Sequence, residues 1–294
     1  MAKYVILNGE LALEQDAKIH VSDLGLRRGY AAFEFFRVMR GIPLFFEDHL
    51  ARFQRSAQML WLEPPWTLEQ IQGFVAQLLQ ANGLQEAGVQ LVLTGGYSPD
   101  AFTPTTPNLI IAQAEVKPYP PEQYERGVKV ITQLNVRELP EAKTTDYLMA
   151  VKLIPRMRAL GAVEVLYHDG RRMLEGARSG LGIITPEGVL VTAGRDVLES
   201  ITRRRLLGVA RGLFPIEERD IGLEEFFAAP EAFILSSTRG VMPVTQVDDR
   251  PVGSGQVGPH TRRLMELFQA HVEEYLRARA TASPGSGAWP DQGR

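Results

Sequence analysis

The chain has 294 residues, of which 45% are hydrophobic and 23% charged, a composition typical of a globular protein with one large or two medium domains. Its formal net charge of −3 gives no sign of the basic surface that binds nucleic acid or anionic membranes. The chain contains no cysteine, which excludes disulfides, cysteine-bound zinc and thiol catalysis.

The sequence predicts neither a membrane span nor a secretion signal. It has no run of about 18 apolar residues of the kind that crosses a bilayer. The segment from Met1 to Gly9 lacks the long apolar stretch of a signal peptide. We therefore expect a cytoplasmic protein that binds neither nucleic acid nor membrane.

Residues 1–117 predict a small N-terminal domain of strands and helices. Tight turns at Asn8-Gly9 and Arg40-Gly41 separate apolar stretches, as in β-hairpins. Apolar residues at helical spacing follow, and Thr67 is a candidate N-cap for the second helix. In chain order we predict hairpins over 4–13 and 33–46, helices from about 48 and over 68–81, and strands over 89–94 and 109–115.

A proline-rich segment marks the predicted domain boundary. Pro118, Pro120 and Pro121 suit an extended connector, so we assign residues 118–123 to a linker. Residues 124–279 form the predicted larger domain, and residues 280–294, rich in Gly, Pro and Ser, a disordered tail. In the larger domain we predict strands over 128–134, 164–167, 172–174, 181–184, 189–192 and 233–236, and helices over 145–159, 202–210 and 260–276. This mixture indicates an α+β fold of two domains.

One apparent nucleotide-binding motif lacks its context. Residues 253–258 match G-x-G-x-x-G, but that pattern binds a dinucleotide only within a βαβ unit. Here one terminal helix follows and no further strand is predicted. We predict a turn, and we identify no metal-binding motif in the chain.

Lys143 is the lysine whose context suggests chemistry, and only six of the 32 basic residues are lysines. It precedes the predicted helix at 145, and both burial and the positive end of a helix lower the pKa of a lysine. A neutral amine is the form that attacks an aldehyde. Position alone, however, does not overturn the usual interpretation of such a residue, which is a solvated loop lysine.

Five segments in a fixed order carry a resemblance to a known family. They are Asp23-Leu24-Gly25 with Arg28-Gly29-Tyr30, Phe33-Glu34, Gly41, Glu47 to Arg52 and Ser56-Ala57; Ala142 to Leu148; Glu175 to Ser179; Ser200 to Arg203; and Ser236-Ser237-Thr238 with Pro243-Val244. Each is weak alone, but their order and spacing together resemble the class IV aminotransferases. These are fold-type IV enzymes that use pyridoxal 5′-phosphate (PLP), and the resemblance is to D-amino-acid aminotransferase-like members.

The resemblance implies a fold, a cofactor and a set of site residues. The implied fold is α+β, with a small N-terminal α/β domain and a larger domain that has a barrel-like β core, in a homodimer. Lys143 would hold PLP as a Schiff base, Glu175 would face its pyridine nitrogen, and Arg52 would bind its phosphate. The other implied cofactor-binding residues are Tyr147, Ser179, Gly180, Ile201, Thr202, Ser237 and Thr238.

The resemblance also implies a substrate class. Arg28-Gly29-Tyr30 and the loop from Thr94 to Ser98 are similar to D-amino-acid aminotransferase-like members. We expect an amino group to move from a D-amino acid to a 2-oxo acid such as 2-oxoglutarate or pyruvate. Arg27 or Arg28 would bind the substrate α-carboxylate, and Phe33 would also contact the substrate.

Three alternatives stay open at this point. One is a branched-chain L-amino-acid transaminase, the second a PLP lyase similar to aminodeoxychorismate lyase, and the third a weakened or non-catalytic PLP-binding relative. Asp146 and Gly180 motivate the third, because both stand where the family usually has Asn. Asp146 adds a negative charge near the lysine, which favours its protonated form. Gly180 removes a side chain that would donate hydrogen bonds near the phosphate.

Overall fold

A computed structural model describes residues 3–282, and these residues form two compact units. The first unit comprises residues 3–117, 142–146 and 272–282, and the second comprises 118–141 and 147–271.

The first unit contains an antiparallel sheet in the order β2-β1-β6-β5-β3-β4. Its strands are β1 (Tyr4–Leu7), β2 (Glu10–Leu13), β3 (Ala31–Met39), β4 (Ile42–Pro43), β5 (Glu86–Thr94) and β6 (Leu109–Ala114). Its helices are α1 (Leu24–Arg28), α2 (Phe46–Met59) and α3 (Leu68–Asn82). The predicted β1–β2 hairpin is confirmed, and so is Thr67 as the N-cap of α3.

The core of the first unit joins this sheet to α2 and α3. Phe46, Leu50 and Phe53 recur at spacings of three and four residues, so they share one face of α2. They pack in one buried cluster with Phe36 of β3 and Leu91 of β5. The helix is stabilised mainly by packing this apolar face on the sheet, and less by the helix propensity of its residues.

The second unit is built on one large sheet in the order β12-β11-β10-β14-β15-β7-β8-β9-β13, with β16 beside β15. Its strands are β7 (Val128–Leu134), β8 (Glu164–His168), β9 (Arg172–Gly176), β10 (Gly180–Ile184), β11 (Leu190–Thr192), β12 (Ile216–Glu218), β13 (Ile221–Gly222), β14 (Glu231–Ser236), β15 (Gly240–Val247) and β16 (Arg250–Pro251). Its helices are α4 (Pro121–Arg126), α5 (Leu148–Lys152), α6 (Ile154–Ala159), α7 (Ile201–Ala210) and α8 (Leu223–Ala228), followed by α9 (Pro259–Ala282). Val130, Leu166, Ile183, Ile234 and Met242 belong to its buried core.

Several elements of the second unit were not predicted. The strands β12, β13 and β16 are too short to show a periodic pattern. Strand β15 carries Pro243, which argues against a strand in sequence because proline lacks the N–H that a ladder uses. The prediction of a turn over 253–258 is confirmed.

Residues 142–146 pair with β3 and do not begin a helix. The Phe33 N–H donates to the Lys143 carbonyl at 2.8 Å, and the Thr145 N–H donates to the Ala31 carbonyl at 3.0 Å. The predicted helix over 145–159 is therefore wrong at its start, because α5 begins only at Leu148. It is also two helices, α5 and α6, with Pro155 in the first turn of α6, where its missing N–H is tolerated.

The predicted linker and tail differ from the structure. Residues 121–126 form α4, with Pro121 in its first turn, where proline suits a helix. Residues 280–282 belong to α9, so the prediction of disorder is wrong for them, and residues 283–294 lie outside the described residues.

The predicted domain 124–279 also differs from the second unit. It takes in 142–146, which pair with β3, and 272–279, which belong to the first unit. In that part of α9 the ring of Tyr275 lies 4.9 Å from that of Phe45, and Arg279 pairs with Glu47 at 2.6 Å. The Arg279–Glu47 contact depends on α9 continuing beyond the predicted end at 276.

Asp23 is a buried hub of the first unit, at the start of α1. Its carboxylate accepts hydrogen bonds from the Gly25 N–H at 2.7 Å, the Thr94 hydroxyl at 2.7 Å and the Asn108 amide at 2.8 Å. It thereby caps α1, which carries Arg27 and Arg28, and ties that helix to the end of β5.

We expect Asp23→Ala to lower the free energy of unfolding by about 3 kcal/mol, because it removes a cap and leaves buried donors without an acceptor. Asp16→Ala, at an exposed position, is the matched control. Chemical denaturation of both variants measures the difference. Equal stability of the two variants would show that Asp23 does not anchor α1.

Candidate active site

Lys143 is half-buried beside β3. Its backbone N–H donates to the Ser56 hydroxyl at 3.0 Å, and its carbonyl accepts from Phe33. Its Nζ lies 4.4 Å from the centre of the Phe33 ring, within cation–π range. Strand β3 and helix α2 thus fix the backbone of the lysine, while the amine lies on an aromatic face.

The helix N-terminus predicted next to Lys143 is not there. Helix α5 begins only at Leu148, and the Thr144-Thr145 segment that lies between Lys143 and this helix pairs with β3. The field of a helix end falls off within its first turn. The argument from a helix dipole is therefore wrong, and the structure instead places the amine beside the Phe33 ring. Asp146 is exposed, so water screens its added charge.

A buried charged triad lies on α2 and β3. Glu34 is fully buried and accepts from Arg52 twice, from Nε at 2.9 Å and from Nη2 at 2.6 Å. The Nδ1 of His49 lies 3.1 Å from the same carboxylate. Burial alone would raise the pKa of Glu34, but the charges and hydrogen bonds of Arg52 and His49 together outweigh it and hold that pKa well below its ordinary value. Arg52, predicted to bind phosphate, is thus oriented by a paired carboxylate.

Glu175 is held in the second unit by two donors. It lies in β9 and is buried. Its Oε1 accepts from the Arg137 Nε at 2.7 Å, and its Oε2 accepts from the Leu198 N–H at 3.1 Å. An arginine at this distance favours the ionised carboxylate. An ionised, fixed carboxylate is the group that keeps a pyridine nitrogen protonated.

Tyr167 lies near Glu175 in the same unit. Burial, together with the negative charge of Glu164, raises the pKa of Tyr167 to about 12, so its hydroxyl stays protonated. Tyr147, predicted to contact the phenolic oxygen of the cofactor, is the N-cap residue of α5. Tyr147 and Glu175 both act electrostatically on Tyr167, so these groups share one neighbourhood.

Three further predicted segments meet at one end of the second sheet. Gly180 of β10 pairs with Leu235 of β14, just before the Ser236–Thr238 turn. A Cβ on Gly180 would lie 3.5 Å from the Cβ of Ser200, which caps α7. The predicted residues Ile201 and Thr202, the first two of α7, therefore lie near Gly180, while Ser237 and Thr238 follow β14.

The donors at this end of the sheet fit a phosphate group. The first turn of α7 presents backbone N–H groups and the positive end of a helix of ten residues. The Ser179 hydroxyl is buried and has no hydrogen-bond partner among residues 3–282. A buried hydroxyl without a partner is costly unless a ligand satisfies it. Within the second unit, these donors fit the phosphate of PLP, and the Glu175 carboxylate fits its pyridine nitrogen.

The predicted carboxylate-binding arginines lie on α1. Arg27 and Arg28 are both exposed, and the Arg28 guanidinium lies 4.6 Å from the centre of the Phe102 ring. Phe102 is 73% exposed, in a loop that Asp100 organises by accepting from the Phe102 and Thr103 N–H groups at 2.9 and 2.7 Å. These hydrogen bonds hold the pKa of Asp100 well below its ordinary value.

Sequence reasoning missed Arg137, Tyr167, Phe102 and the role of His49. Arg137 and Glu175 are 38 residues apart, and nothing in their local sequence marks them as partners. The Asp100 loop did carry a signal, because aspartate followed by threonine three residues later is typical of a turn closed by its side chain.

Comparison with known proteins identifies the family. Residues 31–247 match the model of the class IV aminotransferases, which covers more than half of the chain. This chain belongs to the class IV aminotransferases. The D-alanine aminotransferase of Staphylococcus epidermidis is 32% identical over 278 residues, which cover 92% of this chain and 98% of that protein. The D-alanine aminotransferase of Listeria monocytogenes is 30% identical, with 93% and 96% covered.

Solved structures of class IV aminotransferases have the same fold. The branched-chain amino acid aminotransferase of Escherichia coli superposes with a TM-score of 0.84 at 25% identity, over 92% of this chain and 94% of that one. The branched-chain aminotransferase of Thermoproteus uzoniensis superposes with a TM-score of 0.83 at 27% identity, over 94% and 98%. The predicted α+β, fold-type IV class is confirmed, and the large sheet is the curled half-barrel of that fold. The chain is a PLP-dependent aminotransferase, as predicted. Within the described residues no helix has the length and apolar character of a membrane span.

His49 gives this class IV aminotransferase a predicted pH dependence of stability. Burial, which disfavours the charged ring, and the nearby positive charges of Arg52 and Lys143 lower the pKa of His49 despite Glu34. Below about pH 6.5 the unfolded chain binds a proton at this residue that the folded chain does not. The contribution of His49 to stability is therefore complete above that pH and is lost as the pH falls.

The variant His49→Gln keeps a hydrogen-bond donor for Glu34 but does not titrate. We expect its unfolding free energy to depend less steeply on pH than that of wild type. The drop in unfolding free energy on acidification below about pH 6.5 should be smaller than in wild type, by up to about 1.4 kcal/mol per pH unit. Chemical denaturation from about pH 5 to pH 8 measures it, and His20→Gln, at an exposed position, is the control. A wild-type slope in His49→Gln would refute the assignment.

Proposed function

We propose that this class IV aminotransferase moves the amino group of a D-amino acid to a 2-oxo acid, with Lys143 as the residue that binds PLP covalently. The observation that carries the proposal is the position of Lys143, whose amine lies 4.4 Å from the Phe33 ring while its backbone is hydrogen-bonded on both sides. The D-alanine aminotransferases at 30–32% identity over most of the chain support the D configuration. Pyruvate and 2-oxoglutarate are the proposed acceptors.

The residues of the chain have separate tasks in this proposal. When bound, PLP supplies a ring that accepts electron density from the substrate α-carbon. Lys143 Nζ takes up the proton that leaves the α-carbon, as a general base. The Glu175 carboxylate, held by Arg137 and the Leu198 N–H, stays ionised at the pyridine nitrogen. Tyr147 is assigned to the phenolic oxygen.

The phosphate is assigned to groups that donate hydrogen bonds. They are Arg52, Ser179, Gly180, Ile201, Thr202, Ser237 and Thr238. The first turn of α7 and the unpartnered Ser179 hydroxyl support this assignment. Arg52 is assigned from the family resemblance, and its pairing with Glu34 fixes the plane of its guanidinium.

The substrate carboxylate is assigned to Arg28, with Arg27 as its neighbour and Phe33 beside the reacting amine. A carboxylate needs a cation or several donors, and α1 ends in these two arginines. We also infer that the enzyme works as a homodimer in the cytoplasm, as the family resemblance implies.

A branched-chain L-amino-acid transaminase is the second candidate. The structural neighbours named above are branched-chain enzymes, with TM-scores of 0.83 and 0.84. A putative branched-chain aminotransferase of Methanocaldococcus jannaschii is 30% identical in sequence, and we favour the D-specific function because the D-alanine enzyme of Staphylococcus epidermidis is 32% identical. A fold hosts several reactions, so only the substrate test separates the two.

Absorption spectra of the PLP-loaded enzyme, taken with single D- and L-amino acids, test the function. We expect D-amino acids to shift the band of bound PLP and L-amino acids to leave it unchanged. Lys143→Ala should lose turnover by at least about a hundredfold, because it removes the base. Lys152→Ala, at an exposed position of α5, is the control. A response only to branched L-amino acids would establish the second candidate, and full turnover in Lys143→Ala would refute the lysine assignment.

The role of Arg28 predicts a substrate-dependent effect. Arg28→Leu should lower kcat/KM for a D-amino acid by at least about tenfold, the effect of losing one charge-assisted hydrogen bond. The same variant should leave kcat/KM unchanged for a primary amine that has no carboxylate. Arg171→Leu, at an exposed position outside the assigned site, is the control. Equal losses for both substrates would mean that Arg28 supports the fold and does not bind the carboxylate.

A further inference from the structure

Arg239 is a buried arginine that directly follows the Ser236–Thr238 turn. Only 5% of its surface is exposed. Its N–H donates to the Ser236 hydroxyl at 3.2 Å, and its carbonyl accepts from the Tyr124 hydroxyl at 2.9 Å. The backbone that leaves the turn is therefore fixed on both sides of Arg239. Neither the predicted site nor the family resemblance included this residue.

The guanidinium of Arg239 reaches a buried carboxylate on another strand. One nitrogen donates to Glu164 of β8, and Nη2 donates to the Val163 carbonyl at 3.1 Å. The guanidinium lies 5.4 Å from the centre of the Tyr119 ring. Glu164 is fully buried, and its other oxygen accepts from the Val165 N–H at 3.0 Å. Burial lowers the pKa of Arg239, but the charges and hydrogen bonds of Glu164 and Tyr119 together outweigh it, so the net shift is upward and the guanidinium stays charged.

Glu164 also lies against the turn that carries Ser179. A Cβ added to Gly176 would lie 3.2 Å from the Cγ of Glu164. Gly176 in turn donates its N–H to the Ser179 carbonyl at 2.7 Å and closes the turn. The ion pair therefore connects two turns, 176–179 and 236–238, that are far apart in sequence.

We propose that Glu164 and Arg239 are positioning residues that hold the 176–179 and 236–238 turns together so that their hydroxyl groups bind the phosphate of the cofactor. This inference rests on the phosphate assignment in the proposed function. The pair acts through the turns, and neither charge contacts the phosphate in this scheme. If the pair acts in this way, the affinity for a phosphorylated ligand depends on the Glu164–Arg239 salt bridge, although the salt bridge does not contact the ligand.

A purely structural role makes a different prediction. Breaking a buried ion pair by removing one partner destabilises a protein strongly, whereas replacing both partners by apolar side chains often restores stability. A positioning role is not restored in this way, because the double variant still lacks both the salt bridge and the Arg239 hydrogen bond to the Val163 carbonyl. The double substitution therefore separates the two roles.

The experiment compares PLP with pyridoxal, which lacks the phosphate. The full-length chain, freed of cofactor, is titrated with each compound, and the dissociation constants are read from the absorption of the bound form. The variants are Arg239→Met, Arg239→Lys and the double variant Glu164→Met with Arg239→Met. Arg171→Met, at an exposed position, is the matched control. Chemical denaturation of each variant gives its stability.

We expect Arg239→Met to weaken PLP binding by about tenfold or more and pyridoxal binding by less than about threefold. The double variant should regain stability and keep the loss of PLP affinity. If Arg239→Met does not fold, Arg239→Lys and the double variant carry the same comparison. Equal losses for the two compounds, or PLP affinity restored in the double variant, would overturn the inference.

A variant of the turn itself separates this inference from the proposed function. Ser237→Ala combined with Thr238→Val removes two hydroxyl groups and leaves the ion pair intact. A selective loss of PLP affinity there, with none in Arg239→Met, would refute the positioning role alone. No selective loss in the turn variant would refute the phosphate assignment and the inference together.

Discussion

The pairing of the Lys143 segment with β3 is the constraint on which the rest of the first unit's site depends. Hydrogen bonds from Phe33 to Lys143 and from Thr145 to Ala31 bring the lysine beside the strand. Successive residues of a strand face opposite sides of the sheet. Phe33 therefore meets the lysine amine, while Glu34 turns to the other side and meets α2. One strand thus orients two groups of residues with different tasks.

The charges buried behind that strand are satisfied locally. Glu34 is fully buried, and a lone carboxylate there would be strongly unfavourable. Arg52 and His49 supply the donors, and all three residues become fixed in orientation as a result. Such a triad contributes little net stability over apolar side chains, because desolvation offsets the attraction. What it contributes is a defined direction for the Arg52 guanidinium.

The second unit repeats this arrangement with different partners. Glu175 is fixed by Arg137 and a backbone N–H, and Glu164 is fixed by Arg239. Both carboxylates are buried and both accept from an arginine, and Arg178 also lies 3.9 Å from Glu164. Of the predicted phosphate donors in this unit, Ser179, Gly180, Ser237 and Thr238 lie in or beside the 176–179 and 236–238 turns, and Ile201 and Thr202 begin α7. The unit therefore holds a set of polar groups whose positions are set by ion pairs beneath them.

The sequence by itself determined the family, the catalytic lysine candidate and most of the elements. The β1–β2 hairpin, strand β7 and the capping of α3 were predicted correctly, because a tight turn, an apolar run and a cap are local features. The start of the helix after Lys143 was wrong, because Thr144 and Thr145 make their backbone hydrogen bonds to β3, far away in sequence. Periodicity cannot register a partner at that distance.

Tertiary structure alone decided which charges meet. Arg137 and Glu175 are 38 residues apart, and Arg239 and Glu164 are 75 apart. From sequence alone each of these residues would be predicted to lie at the surface, since Arg and Glu are usually exposed. In the second sheet one strand, β7, separates β15, which follows Arg239, from β8, which carries Glu164, and this strand order places the partners together. Local sequence encodes turns and strands, whereas the partner of a buried charge is encoded by the packing of the whole unit.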